Sequence, residues 1–154
     1  MPPSLIVLAP VAGTVLAMTD VADPVFAGAI VGPGLAVDPD RPGESTVVSP
    51  AAGTIIKLHP HAFVLQVADG RAVLVHLGLD TVQLAGAGFT LHVSEGDEVA
   101  AGDQVVSWDP DAVEAGGRSP VCPVVALEGV AASVRGLVRP GARIDVGAPL
   151  LEWD

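Results

Sequence analysis

A single cysteine, Cys122, leaves no partner for an intramolecular disulfide, and its valine and proline neighbours mark a buried, inert thiol. Basic residues are scarce as well: 7 against 18 acids, a net charge of −11 and a pI of about 4.4. A nucleic-acid backbone would be repelled at neutral pH, which excludes that class of partner. An acidic surface suits instead a partner that carries arginines or lysines. Long hydrophobic runs are missing. Half of the chain is hydrophobic and the mean hydropathy is +0.56, yet no uninterrupted stretch approaches the ~20 residues of a membrane helix. No direct membrane insertion is expected. The N-terminus lacks the basic flank and cleavage site of a secretory signal, although Leu5-Ile6-Val7-Leu8 is apolar. A cytoplasmic location is the expectation.

What is present is short, apolar and often interrupted. Gly 18 and Pro 14 cut apart segments rich in Val, Leu and Ala, and aromatics make up only 3%. Many short strands with frequent turns imply an all-β sandwich or barrel-like body, formed as one domain over residues 1–154. Residues 5–17 read as strand, turn, strand. A strand interrupted by a Gly-Pro-Gly bend is expected across Ile30–Val37, and a surface loop over Asp38–Gly43. Helix is confined to a turn near Pro24-Val25-Phe26 and a short segment within 109–118, with Asp109 as cap and Pro110 at its first position.

Two phrases are used twice. Ala9-Pro10-Val11-Ala12-Gly13-Thr14-Val15 returns as Ser49-Pro50-Ala51-Ala52-Gly53-Thr54-Ile55. Gly96 to Asp109 returns as Gly141 to Asp154, with two glycines, a β-branched residue and a Trp-Asp ending at the same mutual spacing. Glycine-turn units of this kind recur in biotinyl and lipoyl carrier domains. Those carriers need a lysine at a hairpin tip, and the only lysine, Lys57, lies outside the glycine repeats. A swinging-arm carrier is disfavoured.

The stretch from Ala62 to Asp80 carries the chemistry. Ala62-Phe63-Val64-Leu65 and Ala72-Val73-Leu74-Val75 read as two strands joined by an Asp69-Gly70 hairpin. That hairpin would bring His61 and His76 to one end of the sheet, with Gly78 letting the backbone turn sharply after His76. Imidazole is partly neutral near pH 7, and its unprotonated nitrogen is a nucleophile. A backbone carbonyl at the Gly78 turn can hold the proton on one ring nitrogen and free the other. His61 would then stand beside the free nitrogen as a second N–H donor. Val25, Phe26, Val31 and Leu74 would keep water away and offer a docking face.

Taken together these residues resemble the IIA domain of the glucose class of bacterial sugar phosphotransferase systems. The resemblance rests on His61-Ala62-Phe63, on Val75-His76-Leu77-Gly78-Leu79-Asp80-Thr81-Val82 and on Gly86-Ala87-Gly88-Phe89, and it extends over nearly the whole chain. It implies an antiparallel β-sandwich of barrel-like shape, of the duplicated-hybrid-motif type. It implies a phosphotransferase component in which His76 accepts a phosphoryl group from HPr and passes it to a cysteine on the IIB domain of a glucose- or N-acetylglucosamine-type permease. The family's second histidine falls on His61, which would stabilise the transferring phosphoryl group, and the high-energy N–P bond of a phosphorylated His76 would let the group pass on. Its acidic residues that meet an HPr arginine fall on Asp23 and Asp80. No IIB or IIC portion is attached, so a free-standing subunit is expected. No cofactor is required, although zinc between His61 and His76 in a partner complex, and regulatory target proteins, stay open.

A rival reading comes from a different class. His59-Pro60-His61 is an H-x-H pair and His76 to Asp80 an H-x-x-x-D pair, as in zinc peptidases on a related β-scaffold. There the two elements come in the opposite order. His92 lies apart from both strand ends and reads as a surface residue.

Overall fold

The computed structural model describes residues 3–154. The first half runs β1 (Leu5–Leu8), β2 (Gly13–Ala17), α1 (Pro24–Ala27), β3 (Gly34–Pro39), β4 (Ser45–Val48), β5 (Gly53–His59), β6 (Ala62–Gln66) and β7 (Ala72–His76). The second half runs β8 (Thr90–Leu91), β9 (Glu98–Val99), β10 (Gln104–Trp108), α2 (Pro110–Ala115), β11 (Cys122–Ala126), β12 (Val134–Gly136), β13 (Arg143–Ile144) and β14 (Pro149–Trp153). One sheet has the order β13-β2-β3-β11-β7-β6-β5-β9, and two three-stranded sheets are β1-β14-β12 and β4-β10-β8. Their strand pairs are antiparallel. The expected all-β antiparallel body with short helices is what forms.

The repeated phrases explain the symmetry. Each Pro-x-Ala-Gly copy docks on one glycine unit by the same bonds. Val15 N–H donates to the Ala142 carbonyl and Gly141 N–H to the Val15 carbonyl, as Ile55 does with Asp97 and Gly96 with Ile55. The two copies also bond each other, Leu8 N–H to the Pro50 carbonyl at 2.9 Å and Val48 N–H to the Pro10 carbonyl at 3.0 Å. A side chain at Gly13 or Gly53 would run into the facing carbonyl, of Asp38 or Gln66. Glycine is therefore needed where each phrase enters its strand.

Alternation along the strands sorts residues between two clusters. Val73, Val75, Phe63 and Leu65 point into the main core with Ile55, Trp108, Leu150 and Leu151. Each such large side chain contributes about 1.5–3 kcal/mol by leaving water. The opposite face of β7 carries Leu74 and, two residues on, His76. Leu74 packs with Val31 at the edge of a smaller cluster of Met18, Val21, Phe26, Ala36, Leu79 and Val125. That cluster underlies the histidines.

Two local expectations change and a third holds. The strand expected over Ile30–Val37 begins only at Gly34. Gly32 has φ +146° and Pro33 offers no N–H, so the ladder becomes one-sided upstream: the Pro33 and Val31 carbonyls accept from Ala126 and Glu128 N–H, and Ile30 stands 73% exposed. The expected loop over 38–43 starts later, because Asp38 and Pro39 pair with Thr14 and Gly13 in β3. Its Arg41 is held by the Asp38 carboxylate and the Pro39 carbonyl, each at 2.7 Å. Helix α2 occupies only Pro110–Ala115; the Asp109 carboxylate caps it as expected and Gly116 closes it.

Candidate phosphotransfer site

The β6–β7 hairpin pairs Ala62 with His76 as its last register position. Just beyond, Leu77 N–H donates to the His61 carbonyl at 2.7 Å, which continues the ladder by one bond. The two imidazoles meet across that end with centroids 5.2 Å apart and ring planes at 70°. Both histidines expected to converge do converge.

His76 is anchored by the turn that follows it. Its Nδ1 lies 2.6 Å from the Gly78 carbonyl oxygen. A carbonyl only accepts, so Nδ1 carries the proton and Nε2 keeps its lone pair. Gly78 holds φ +77°, and a Cβ there would stand 2.7 Å from the Thr81 methyl and 2.9 Å from the Ser119 carbonyl oxygen. The turn is fastened from below. Buried Thr81 donates its hydroxyl to the Leu77 carbonyl at 2.7 Å, and Leu79 N–H donates to the Ser119 carbonyl at 2.8 Å. Neither Thr81 nor Ser119 was expected to matter. A threonine in a turn carries no signal of burial, and Ser119 reaches the site only through tertiary packing.

Surroundings keep both rings neutral. Burial pushes the His76 pKa below its ordinary value, although the Gly78 hydrogen bond and the Asp23 and Asp80 carboxylates pull the other way. For His61, burial again comes first, and the His76 and His59 rings add to the lowering. His59 stacks on His61, 5.7 Å between centroids and 24° between planes. It therefore belongs to the site as a third imidazole, a role the sequence left unassigned.

The remaining expected residues divide by exposure. Asp23 uses its carboxylate to cap α1, accepting from Val25 N–H at 2.9 Å. Asp80 is exposed in the left-handed region at φ 60°, and its side chain makes no capping bond. Val25 is 43% exposed, while Val31 and Leu74 are half-buried. Phe26 departs from expectation. It is only 7% exposed and sets its ring edgewise against His76 at 5.3 Å, so it walls the site and offers little docking surface. On α1, the residues just after it and the turn that follows Asp80, exposed apolar side chains are instead Val25, Ile30 at 73% and Val82 at 62%. Cys122 is buried, its thiol pushed up to about 12 by that burial, and it donates to the Pro120 carbonyl. It is inert, as its neighbours implied. His92 is exposed, as expected, and bonds the Ser107 hydroxyl at 2.7 Å.

Residues 5–131 match the family model described as phosphoenolpyruvate-dependent sugar phosphotransferase system, EIIA 1. This chain belongs to that family. Being of the EIIA family, it is a phosphocarrier component of the sugar phosphotransferase system. It is 41% identical over 121 residues to a glucose-specific EIIA component of Bacillus cereus, covering 77% of this chain and 72% of the relative. It is 44% identical over 120 residues to an N-acetylglucosamine-specific EIICBA component of Escherichia coli, covering 77% of this chain and 18% of that longer relative. The glucose permease IIA structure from Mycoplasma capricolum superposes with a TM-score of 0.87 at 31% identity, over 98% of this chain and 96% of that one. The zinc-peptidase alternative through His59, His61 and His76 gains no support from these relatives. Among the described residues, no group of three or more His, Cys, Asp or Glu side chains is arranged to hold a metal ion. Nor is any helix among them long and apolar enough to cross a membrane.

Proposed function

We propose that His76 is the phosphoryl acceptor, taking the group from phospho-HPr on Nε2 and handing it to the IIB domain of a glucose- or N-acetylglucosamine-type permease in the cytoplasm. The observation that carries this reading is the 2.6 Å bond from Nδ1–H to the Gly78 carbonyl. In the first step the Nε2 lone pair forms a bond to phosphorus while the donor's bond to phosphorus breaks and its electron pair leaves with the donor. The transition state is loose, with charge spread over the three equatorial oxygens. His76 keeps its Nδ1 proton throughout, so its ring becomes cationic as the bond forms. The Gly78 carbonyl dipole and the Asp23 and Asp80 carboxylates, which already favour the charged ring, stabilise that charge. His61, with an N–H to donate, meets the phosphoryl oxygens.

Onward transfer reverses these roles, with the IIB cysteine as the incoming nucleophile. Exposed Val25, Ile30 and Val82 form the face that meets either partner and excludes water from the phosphohistidine. The relay as written draws on no cofactor. Phosphorylation places an anionic phosphoryl group on this apolar face, so the two states present different surfaces to any regulatory target.

The direct test supplies HPr, enzyme I and phosphoenolpyruvate and maps acid-labile phosphate. A single phosphohistidine at His76, lost in His76→Ala, is the expected result. Retention of the label in that variant would overturn the assignment.

A further inference from the structure

The two imidazoles of the relay are held in different ways. The His76 ring is fixed by its bond to the Gly78 carbonyl. Among the described residues the other histidine ring nitrogen that is hydrogen-bonded belongs to His92, on Ser107. No hydrogen bond among them therefore sets the angle of the His61 ring, although a transfer role requires its N–H to point at one place. What meets that ring on its second side is another ring. His59 stacks on it with centroids 5.7 Å apart and planes at 24°, while the His61 and His76 planes cross at 70°.

Strand β5 leaves its simple period to put His59 there. Ile55 points into the main core, and strict alternation from Ile55 would send Lys57 and His59 inward with it. The β5–β6 register instead shifts between Ile55 and Lys57, which leaves Ile56 as an extra residue. Beyond this bulge Leu58 packs on the main core, and His59 lies opposite Ala62 on the other face. Ala62 is in turn opposite His76. The three residues form one row across β5, β6 and β7, with a small, buried side chain in the middle that leaves room for the His61 ring. The end of β5 is held from outside the sheet, since the Glu95 carboxylate accepts from Leu58 N–H at 3.1 Å.

We infer that His59 is a positioning residue for His61: its ring is the flat support that holds the His61 imidazole facing His76. The feature that matters is the aromatic face, because the two rings are joined by stacking and by no hydrogen bond. Stacking of flat rings favours particular angles between them, which an aliphatic contact does not. The kinetic consequence rests on the phosphotransfer reading, in which His61 meets the phosphoryl oxygens. A misplacement of about 1 Å costs up to about 10²-fold in such a step. His59 is exposed at a strand end, so replacing it leaves the core untouched.

The test compares His59→Ala, which removes the ring, with His59→Phe, which keeps an aromatic face and discards the nitrogens. Ring geometry is read first, without any partner, from NOEs between the His61 and His76 ring protons in the intact chain. His59→Ala should lose most of their intensity, and His59→Phe should restore it. Transfer is read second, by rapid quench from phospho-HPr to the chain and from the chain to IIB. His59→Ala should slow transfer to IIB by about tenfold or more, and His59→Phe should recover most of that loss. In a His61→Gln background His59→Ala should cost no more than about twofold, because the residue acts only through His61. A general structural role would give the same loss in both backgrounds. Unchanged NOEs in His59→Ala, a His59→Phe variant as defective as His59→Ala, or the full loss persisting beside His61→Gln would each overturn the inference. Wild-type chain that takes no phosphate from HPr would instead overturn the phosphotransfer reading, and the NOEs would still decide whether His59 holds the ring.

Discussion

The Nδ1 hydrogen of His76 and the carbonyl oxygen of Gly78, two residues further on, are joined at 2.6 Å. The tautomer of the acceptor is thus set by its own chain before any partner arrives. That bond exists only because the backbone turns through the left-handed region at Gly78, where φ is +77°. Nucleophile and turn are one unit, and the consequences can be measured.

Gly78→Ala should damage the site through its backbone. The left-handed conformation costs a residue with a Cβ about 1–2 kcal/mol. Contact with the Thr81 methyl and the Ser119 carbonyl would force the turn to shift as well. Urea unfolding should show a loss of about 2 kcal/mol or more, and phosphate uptake should fall. The ¹⁵N shifts of His76 should show the proton no longer confined to Nδ1. Normal uptake with an unchanged tautomer would mean that the Gly78 carbonyl does not set the nucleophile.

His61→Gln separates the two halves of the relay. Glutamine keeps an N–H donor within reach of the phosphoryl oxygens but cannot carry charge. Phosphorylation by HPr should survive, while transfer onward to IIB should slow by roughly 10²-fold or more, the usual scale for proton or charge participation. Rapid-quench assays of each step would show it. Equal loss in both steps would make His61 a packing residue of the pocket.

The pH dependence follows from the burial of the two rings. The folded pKa values of His61 and His76 lie below the ordinary value of 6.5. Between those depressed values and 6.5 the unfolded chain binds more protons than the folded one, so stability rises with pH across that window. Above about 6.5 both states are unprotonated and these groups contribute no slope. Stability measured by urea midpoint should therefore fall as pH is lowered from about 6.5, well before the carboxylates titrate. The double variant His61→Gln, His76→Gln should flatten that part of the curve. An unchanged slope would place the acid sensitivity elsewhere.

How much of this was readable beforehand can be traced to particular residues. The hairpin, the meeting of His61 with His76 and the carbonyl at Gly78 were legible because each rests on local chemistry: a period of two, an Asp-Gly turn and a glycine after a strand. Both internal repeats were legible for the same reason. What was not legible depends on distant packing. Phe26 was expected on the docking face and is instead walled in, because α1 folds over the outer cluster that Leu79 and Val125 form. Ile30 and Val82 are exposed for the complementary reason, and an apolar letter in a sequence does not reveal exposure.

Docking can be divided between charge and apolar contact. Asp80 is exposed and its side chain makes no capping bond, so it is free to meet a basic group on HPr. A rim charge of this kind is screened by salt and contributes about 1 kcal/mol or less, mainly to the association rate. Asp80→Asn should slow transfer from phospho-HPr by no more than about fivefold at low salt, and the gap from wild type should close as salt is raised. Ile30 is 73% exposed and stands beside α1, its N–H bonded to the Val25 carbonyl at 3.1 Å. Ile30→Ser removes apolar area that only a partner can bury, worth about 1–2 kcal/mol, or five- to thirtyfold in rate. That loss should be the same at every salt concentration. Initial transfer rates across a salt series compare the two variants directly. A large, salt-insensitive defect in Asp80→Asn would mean that Asp80 acts within the site by supporting the charged His76 ring. A normal rate in Ile30→Ser would move the docking face away from α1.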